Sequence, residues 1–299
     1  MNKGILKGLA TYALWGFFPI YWKFLHPVSA LQVIGHRISW SFALLISIVL
    51  VTRQWNDFRS VALKPNVIGI YSIAAALLTV NWLVYVWGVN AGFIVETSLG
   101  YFINPLLSVL LGVFFLRERL RPMQWIPVGI AAIGVVYLTA VYGRLPWIAL
   151  SLAFSFGFYG FIKKLAPLGS LYGLTLETGI VFPLALIYLL VIEWNGTGAF
   201  VRDGTSITLL LVGTGAVTTI PLLLFASAAK EIPLSVLGLL QYVAPTLQFL
   251  IGVFIYKEPF DHAHLIGFGI VWVALVIFWV ENYLARRLPV EPIPEMGED

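Results

Sequence analysis

Shifted by 140 positions, the first half of the chain falls onto the second without a gap. Pro105 lands on Pro245, Gly112 on Gly252, Val113 on Val253, Phe114 on Phe254 and Glu118 on Glu258. Farther out, Lys23 meets Lys163, Thr79 meets Thr219, Ile126 meets Ile266 and Gly129 meets Gly269. The same offset serves from about residue 10 to about residue 280, so one unit of about 140 residues has been made twice. If each copy crosses a bilayer an odd number of times, the second copy stands inverted relative to the first.

The residue types put the chain in a membrane. Hydrophobic residues make up 60% of it and charged residues 11%, against ~25% charged in soluble domains. With 15% aromatics and a mean hydropathy of +0.92, there is more apolar surface than a water-facing shell can cover. The absence of cysteine excludes disulfides, thiolate metal sites and cysteine nucleophiles. A net charge of +4 does not indicate nucleic acid, because the basic residues sit in short loops between apolar segments. The first apolar stretch is full length and lacks a cleavage site, so it is expected as a span and not as a signal peptide.

A helix needs ~20 apolar residues to cross a bilayer. Ten such segments are expected, at 4–24, 29–51, 67–89, 95–116, 123–141, 146–163, 171–192, 206–228, 233–256 and 264–284. The fold class is therefore all-α and integral to the membrane, as two inverted five-helix repeats. The first repeat covers residues 1–143 and the second 144–287; residues 288–299, rich in proline and acid, are expected as a disordered cytoplasmic tail. On the N-terminal side of the membrane lie Lys3, Lys7, Arg53, Arg59, Lys64, Arg117, Arg119, Arg121, Lys163, Lys164, Lys230, Arg286 and Arg287. The other side carries only Lys23, Arg144, Arg202 and Lys257. The basic excess marks the cytoplasmic side. Both termini are thus expected inside, which requires an even number of spans.

Proline inside a spanning helix removes its own N–H and frees the carbonyl four residues earlier. Pro105 and Pro245 lie near the middle of the fourth and ninth segments and free the carbonyls of Tyr101 and Gln241, themselves related by the offset. With Asn104 and Tyr242 beside them, these kinks are expected to rim a polar pocket at half depth; the alternative is that they only shape the bundle. Pro221, a third helix breaker, falls at the offset from Asn81, whose amide either ties helices together or meets a ligand. Trp15, Trp82 and Tyr85 are candidates to stack on a substrate. Trp55, Trp125 and Trp147 are expected as interface anchors.

Arg37, beside His36, lies ~12 Å into the second segment at ~1.5 Å per residue, where a cation must face protein or water. Its equivalent at the offset is Glu177. Inversion puts the two at opposite depths, so Glu96 is the expected partner of Arg37, and Lys163 or Lys164 that of Glu177. Such pairs either gate the pathway or are structural, and Arg37 could instead hold an anionic group. Close helix packing accounts for Gly4 with Gly8 and Gly157 with Gly160. His262 and His264 have no carboxylate cluster beside them, and no phosphate-binding loop or nucleophile elbow is present. No metal or cofactor is expected.

The run Glu96-Thr97-Ser98-Leu99-Gly100-Tyr101-Phe102-Ile103-Asn104-Pro105 is similar to that of the RarD proteins, EamA-type members of the drug/metabolite transporter superfamily. So are Tyr12-Ala13-Leu14-Trp15-Gly16, His36-Arg37, Asn81-Trp82, Arg117-Glu118-Arg119, Phe154-Ser155-Phe156 with Phe158-Tyr159-Gly160, and Gln241-Tyr242 followed by Pro245-Thr246. The resemblance covers nearly the whole chain except its ends. It implies a permease of the bacterial inner membrane that moves a small metabolite or drug, in a family named for chloramphenicol sensitivity. The expected activity is secondary transport by alternating access in the outward direction, with no enzymatic step. The partners are a small-molecule substrate, membrane lipid and either protons, carried by Glu96 or Glu177, or a counter-solute. The oligomeric state is left open. A lipid or lipid-linked sugar flippase is the alternative within the fold; an integral-membrane enzyme or assembly factor is the alternative outside it. The topology predicts that alkaline phosphatase fused after Gly143 is active and fused after Gly169 is inactive. The opposite pattern contradicts it.

Overall fold

The helices start and stop where backbone chemistry requires. Pro65 opens one at its first position, where a missing N–H costs nothing. Another ends at Gly143, whose left-handed conformation (φ 75°) suits a residue without a side chain. In the computed structural model, which describes residues 3–91, 93–143, 145–257 and 262–285, no strand occurs among the described residues.

The first half contains α1 (Lys3–Gly16), α2 (Phe18–Phe24), α3 (Ala30–Val51), α4 (Trp55–Ala62), α5 (Pro65–Asn90), α6 (Ile94–Leu110) and α7 (Trp125–Tyr142). The second contains α8 (Trp147–Leu165), α9 (Ser170–Trp194), α10 (Thr205–Glu231), α11 (Leu234–Leu240), α12 (Val243–Leu250) and α13 (His262–Ala285). The offset read from the residues recurs in the backbone. The helices α3, α5 and α6 begin 140 positions before α9, α10 and α11. A π-helical turn at Leu111–Phe115 follows α6, and one at Ile251–Ile255 follows α12. Each leads to a residue with positive φ, Arg117 and Lys257.

Seven helical segments among the described residues are long and apolar enough to cross a membrane: 30–51, 65–88, 122–141, 147–165, 170–194, 205–231 and 234–255. The other expected spans are shorter or interrupted. Pro19 breaks the first into α1 and α2; the apolar parts of the fourth and tenth are Leu99–Phe114 and Leu265–Glu281. Large apolar side chains such as Phe114, Val136, Leu184 and Phe254 stand exposed on the outer faces, as a lipid-facing surface requires. The amphipathic α4 was not expected: it seats Phe58 against Tyr172, with ring centroids 5.6 Å apart. The expected tail, 288–299, lies outside the described residues, as do the side chains of His262 and His264.

Equivalent helices cross each other antiparallel. Gln32 on α3 donates to the carbonyl of Thr197 just past α9 at 2.9 Å, while Tyr172 on α9 donates to Gln54 just past α3 at 2.8 Å. Between these ends Phe42 meets its own equivalent, Phe182, with ring centroids 4.7 Å apart. On α7 and α13, Arg121 pairs with Glu281 at 2.9 Å, while Gly134 faces Ile270. Near α6 and α12, the Tyr242 hydroxyl donates to the carbonyl of its equivalent, Phe102, at 3.1 Å.

At Gly215 on α10 a Cβ would lie 2.6 Å from the carbonyl carbon of Trp40 on α3, so only glycine permits this approach. Gly215→Ala is expected to cost about 1–3 kcal/mol, read as a lower melting temperature in detergent. Gly69→Ala, with nothing within 4 Å of the added carbon, is the control expected to melt no lower than the parent. Equal melting of the two variants contradicts the close packing.

Candidate functional site

Between the helices lies a cavity of about 260 Å³ lined by α1, α2, α3, α5, α6, α8, α10, α12 and the break before α12. Trp15, Phe18, Trp22, Trp82 and Phe156 give it aromatic walls; Arg37, Asn81, Tyr101, Asn104, Thr218, Gln241 and Gln248 give it polar groups. It draws on the N-terminal half of α3 and the C-terminal half of α5, so it sits toward one end of the bundle.

Arg37 has no carboxylate partner among the described residues. Its Nε donates to the Thr218 hydroxyl at 3.0 Å. The guanidinium lies 4.4 Å from the Trp82 ring centroid and 4.8 Å from that of Trp22. Two indole faces thus take the place of a counter-ion, an arrangement that gains strength when desolvated. The phenols of Tyr85 and Tyr101, edge to face at 5.9 Å, lie within electrostatic reach of the guanidinium.

The expected pairing of Arg37 with Glu96 is not formed. Glu96 accepts from the backbone N–H of Ile148 at 2.7 Å and so caps the start of α8. A carboxylate there meets the positive end of a helix, which holds it away from the cavity. Asn81 spends its amide donors on α8, at the Leu152 carbonyl and the Ser155 hydroxyl, both at 3.0 Å. It still lines the cavity, where its Oδ1 remains to be offered. Asn104 donates to the Ala153 carbonyl at 3.3 Å and also lines the cavity.

The prolines act differently from expectation. Neither Pro105, Pro245 nor Pro221 lines the cavity. The helix α6 continues through Pro105, whereas the second half breaks at Gln241 and Tyr242. The Gln241 carbonyl that Pro245 frees accepts from the N–H of Ala244 at 3.1 Å, a tight local bond. The Pro221 carbonyl accepts from the Thr11 hydroxyl at 3.3 Å. Tyr242 is fully buried and also lies away from the cavity, because its hydroxyl is committed to Phe102. The carbonyl that does reach the site belongs to Trp15: Pro19, four residues on, cannot supply its N–H, and Gln248 donates to it at 3.1 Å. The spacing of Trp15 and Pro19 was the available signal.

Away from the cavity, ionic groups tie the helices together. Glu177 pairs with Lys163 at 2.6 Å, each side chain 2% exposed, and accepts from the Tyr159 hydroxyl at 3.1 Å. Nearby, Lys164 donates to the carbonyls of Ala229 and Ile232. Lys230 donates to those of Ala166 and Leu168, and Lys7 pairs with Glu231. Glu118, which the offset had only marked as repeated, accepts from the backbone N–H groups of Leu234 (2.6 Å) and Ser235 (2.9 Å) and so caps α11. An aromatic stack joins these groups to the cavity: Trp15 meets Phe156 and Phe225, and Tyr159 lies flat on Phe225 at 5.9 Å.

These features define a multi-pass membrane protein with a largely apolar chamber among its helices that carries a few polar groups. The model of the EamA-like transporter family matches residues 2–140. Protein RarD of Streptomyces exfoliatus is 45% identical over 287 residues, covering 96% of this chain and 91% of that one. The uncharacterized transporter YojE of Bacillus subtilis is 44% identical over 290 residues, covering 96% of each. A solved crystal structure superimposes with a TM-score of 0.71 over 96% of this chain and 99% of that one, at 20% identity, and so shares the fold. The chain belongs to the EamA-like transporters of the drug/metabolite superfamily, among the RarD-type members, and is a membrane transporter.

Breaking a buried ion pair by removing one partner costs about 3–5 kcal/mol, whereas replacing both with apolar groups is tolerated. Glu177→Gln is therefore expected to lower the melting temperature sharply, and the double variant Glu177→Leu with Lys163→Met to recover most of the loss. A double variant as unstable as the single one contradicts the pairing account.

Proposed function

We propose that the protein is a secondary transporter that moves a small organic solute outward across the bacterial inner membrane by alternating access. The observation that carries this reading is the chamber walled by helices from both halves, with a half-buried Arg37 that has no carboxylate partner among the described residues, and apart from it the buried Lys163–Glu177 pair. In this reading ten spans form two inverted five-helix units, residues 1–143 and 144–287. The first span is α1 with α2, the fourth is α6 with its π-turn, and the tenth is α13. The common offset of helix starts and the antiparallel crossings of α3 with α9 and α7 with α13 support it.

Both termini are cytoplasmic, which puts Lys7, Lys163, Lys164 and Lys230 at the inner face. The structure is then of a state closed to the cytoplasm. Arg37, Asn81, Tyr101, Asn104, Gln241 and Trp15 bind the solute. Glu177 belongs to the inner gate: a proton on it would dissolve its pair with Lys163 and loosen that end. The driving force is a proton gradient or an exchanged solute, and the cycle has no enzymatic step.

A thermal-shift screen of the purified chain against a metabolite library supplies compounds to test. A stabilising compound is expected to show counterflow in proteoliposomes, and Arg37→Ala to reduce that flux by about tenfold or more at unchanged expression, as the loss of a charge-assisted contact predicts. Stabilising compounds that never cross the bilayer contradict the transport reading.

A further inference from the structure

The solute class can be narrowed from the chamber itself, a step that rests on the transport reading above. The guanidinium of Arg37 has committed only Nε, to Thr218. Its two Nη groups have no protein partner among the described residues, and Arg37 lines the chamber. That free fork matches a planar carboxylate, which it can hold through two parallel hydrogen bonds. Across the chamber, Gln241 is 5% exposed, and its side-chain amide likewise has no partner among the described residues. Two unspent hydrogen-bonding groups on one chamber, one half-buried and one buried, are what a ligand can satisfy.

Charge limits the class further. Among the described lining residues Arg37 is the one ionisable cation and none is a carboxylate. A monoanion neutralises it. A dianion leaves a buried negative charge uncompensated, and a zwitterion brings an ammonium that meets no carboxylate. Size limits it as well: about 260 Å³ lies below the ~300–1,000 Å³ of pockets for drug-sized ligands. The aromatic walls favour a flat apolar body. We infer that this chamber takes a single-ring organic monocarboxylate, its carboxylate on the Arg37 fork and its ring between the aromatic walls.

The test is isothermal titration of the full chain in detergent at neutral pH with phenylacetate, phenylacetamide, phenethylammonium, L-phenylalanine and phenyl phosphate. Phenylacetate is expected to bind roughly tenfold or more tighter than phenylacetamide, as a charge-assisted pair predicts, and tighter than the other three. Arg37→Gln should remove the advantage of acid over amide, and Arg37→Lys should keep a reduced one. Equal affinity for acid and amide in the parent, preference for the ammonium, zwitterion or dianion, an advantage that survives in Arg37→Gln, or no saturable binding of any probe overturns the inference. Counterflow of whichever probe binds separates the two readings. Phenylacetate that binds but is not moved sinks transport and leaves the binding class. Movement of a neutral or cationic probe in preference to phenylacetate sinks the class and leaves transport.

Discussion

Hydrocarbon offers no hydrogen bonds, so every polar group placed in it must be met by protein or by something the protein encloses. This condition orders the molecule. Glu96 and Glu118 are met by the N–H groups at the starts of α8 and α11, Glu177 by Lys163 and Tyr159, and Asn81 by α8. Even the carbonyl orphaned by Pro19 is met, by Gln248 on the other half. Some buried polar atoms find no protein partner, among them both ring nitrogens of His36, the Trp40 indole nitrogen and the Thr219 hydroxyl, and Arg37 is met only in part. Its cation is held by two indole rings and one hydroxyl, and the rest of its hydrogen-bonding capacity opens into the chamber. Stability is built where polar groups are saturated, and a capacity to bind remains where one is not.

The duplication places the two kinds of site at opposite ends. Arg37 and Glu177 are equivalent positions, yet one lines the chamber and the other pairs with Lys163 away from it. The crossing of α3 and α9 at Phe42 and Phe182, themselves equivalents, explains how: about such a crossing, equal positions in the two copies fall on opposite sides. In the proposed cycle the halves exchange conformations about this line. The aromatic stack from Trp15 through Phe225 to Tyr159 joins the chamber to the Glu177 pair, and in that proposed cycle it is the route by which a solute at Trp15 would act on the far end.

Much of this was legible in the residues because periodicity and offset survive folding. The helix starts at 30, 65 and 94 recur at 170, 205 and 234, the same spacing of 140 that the residues show. The partner of Glu177 was readable because depth alone nearly decided it. The partner of Arg37 was not. Depth placed Glu96 at a suitable level, but which side of α6 it faces depends on packing, and it turned to the start of α8. The prolines misled for a related reason: a freed carbonyl suggests an opening, but Ala244 satisfies Gln241 locally and Tyr242 turns to Phe102. The Pro19 effect could have been read, since a carbonyl four residues before a proline always needs a substitute donor. The capping role of Glu118 could not, because its partners lie on α11 more than a hundred residues away.

The claim that most needs measuring is that one chamber, shared by the two halves, is reached from each face in turn. The chain has no cysteine, so a single Gln241→Cys variant reports on the chamber alone. Its alkylation by a membrane-impermeant thiol reagent can be followed in intact cells and in inside-out vesicles. Reaction from both faces, slowed in each case by a bound solute, is the predicted result. Reaction from one face only, under conditions where the protein is turning over, contradicts the account.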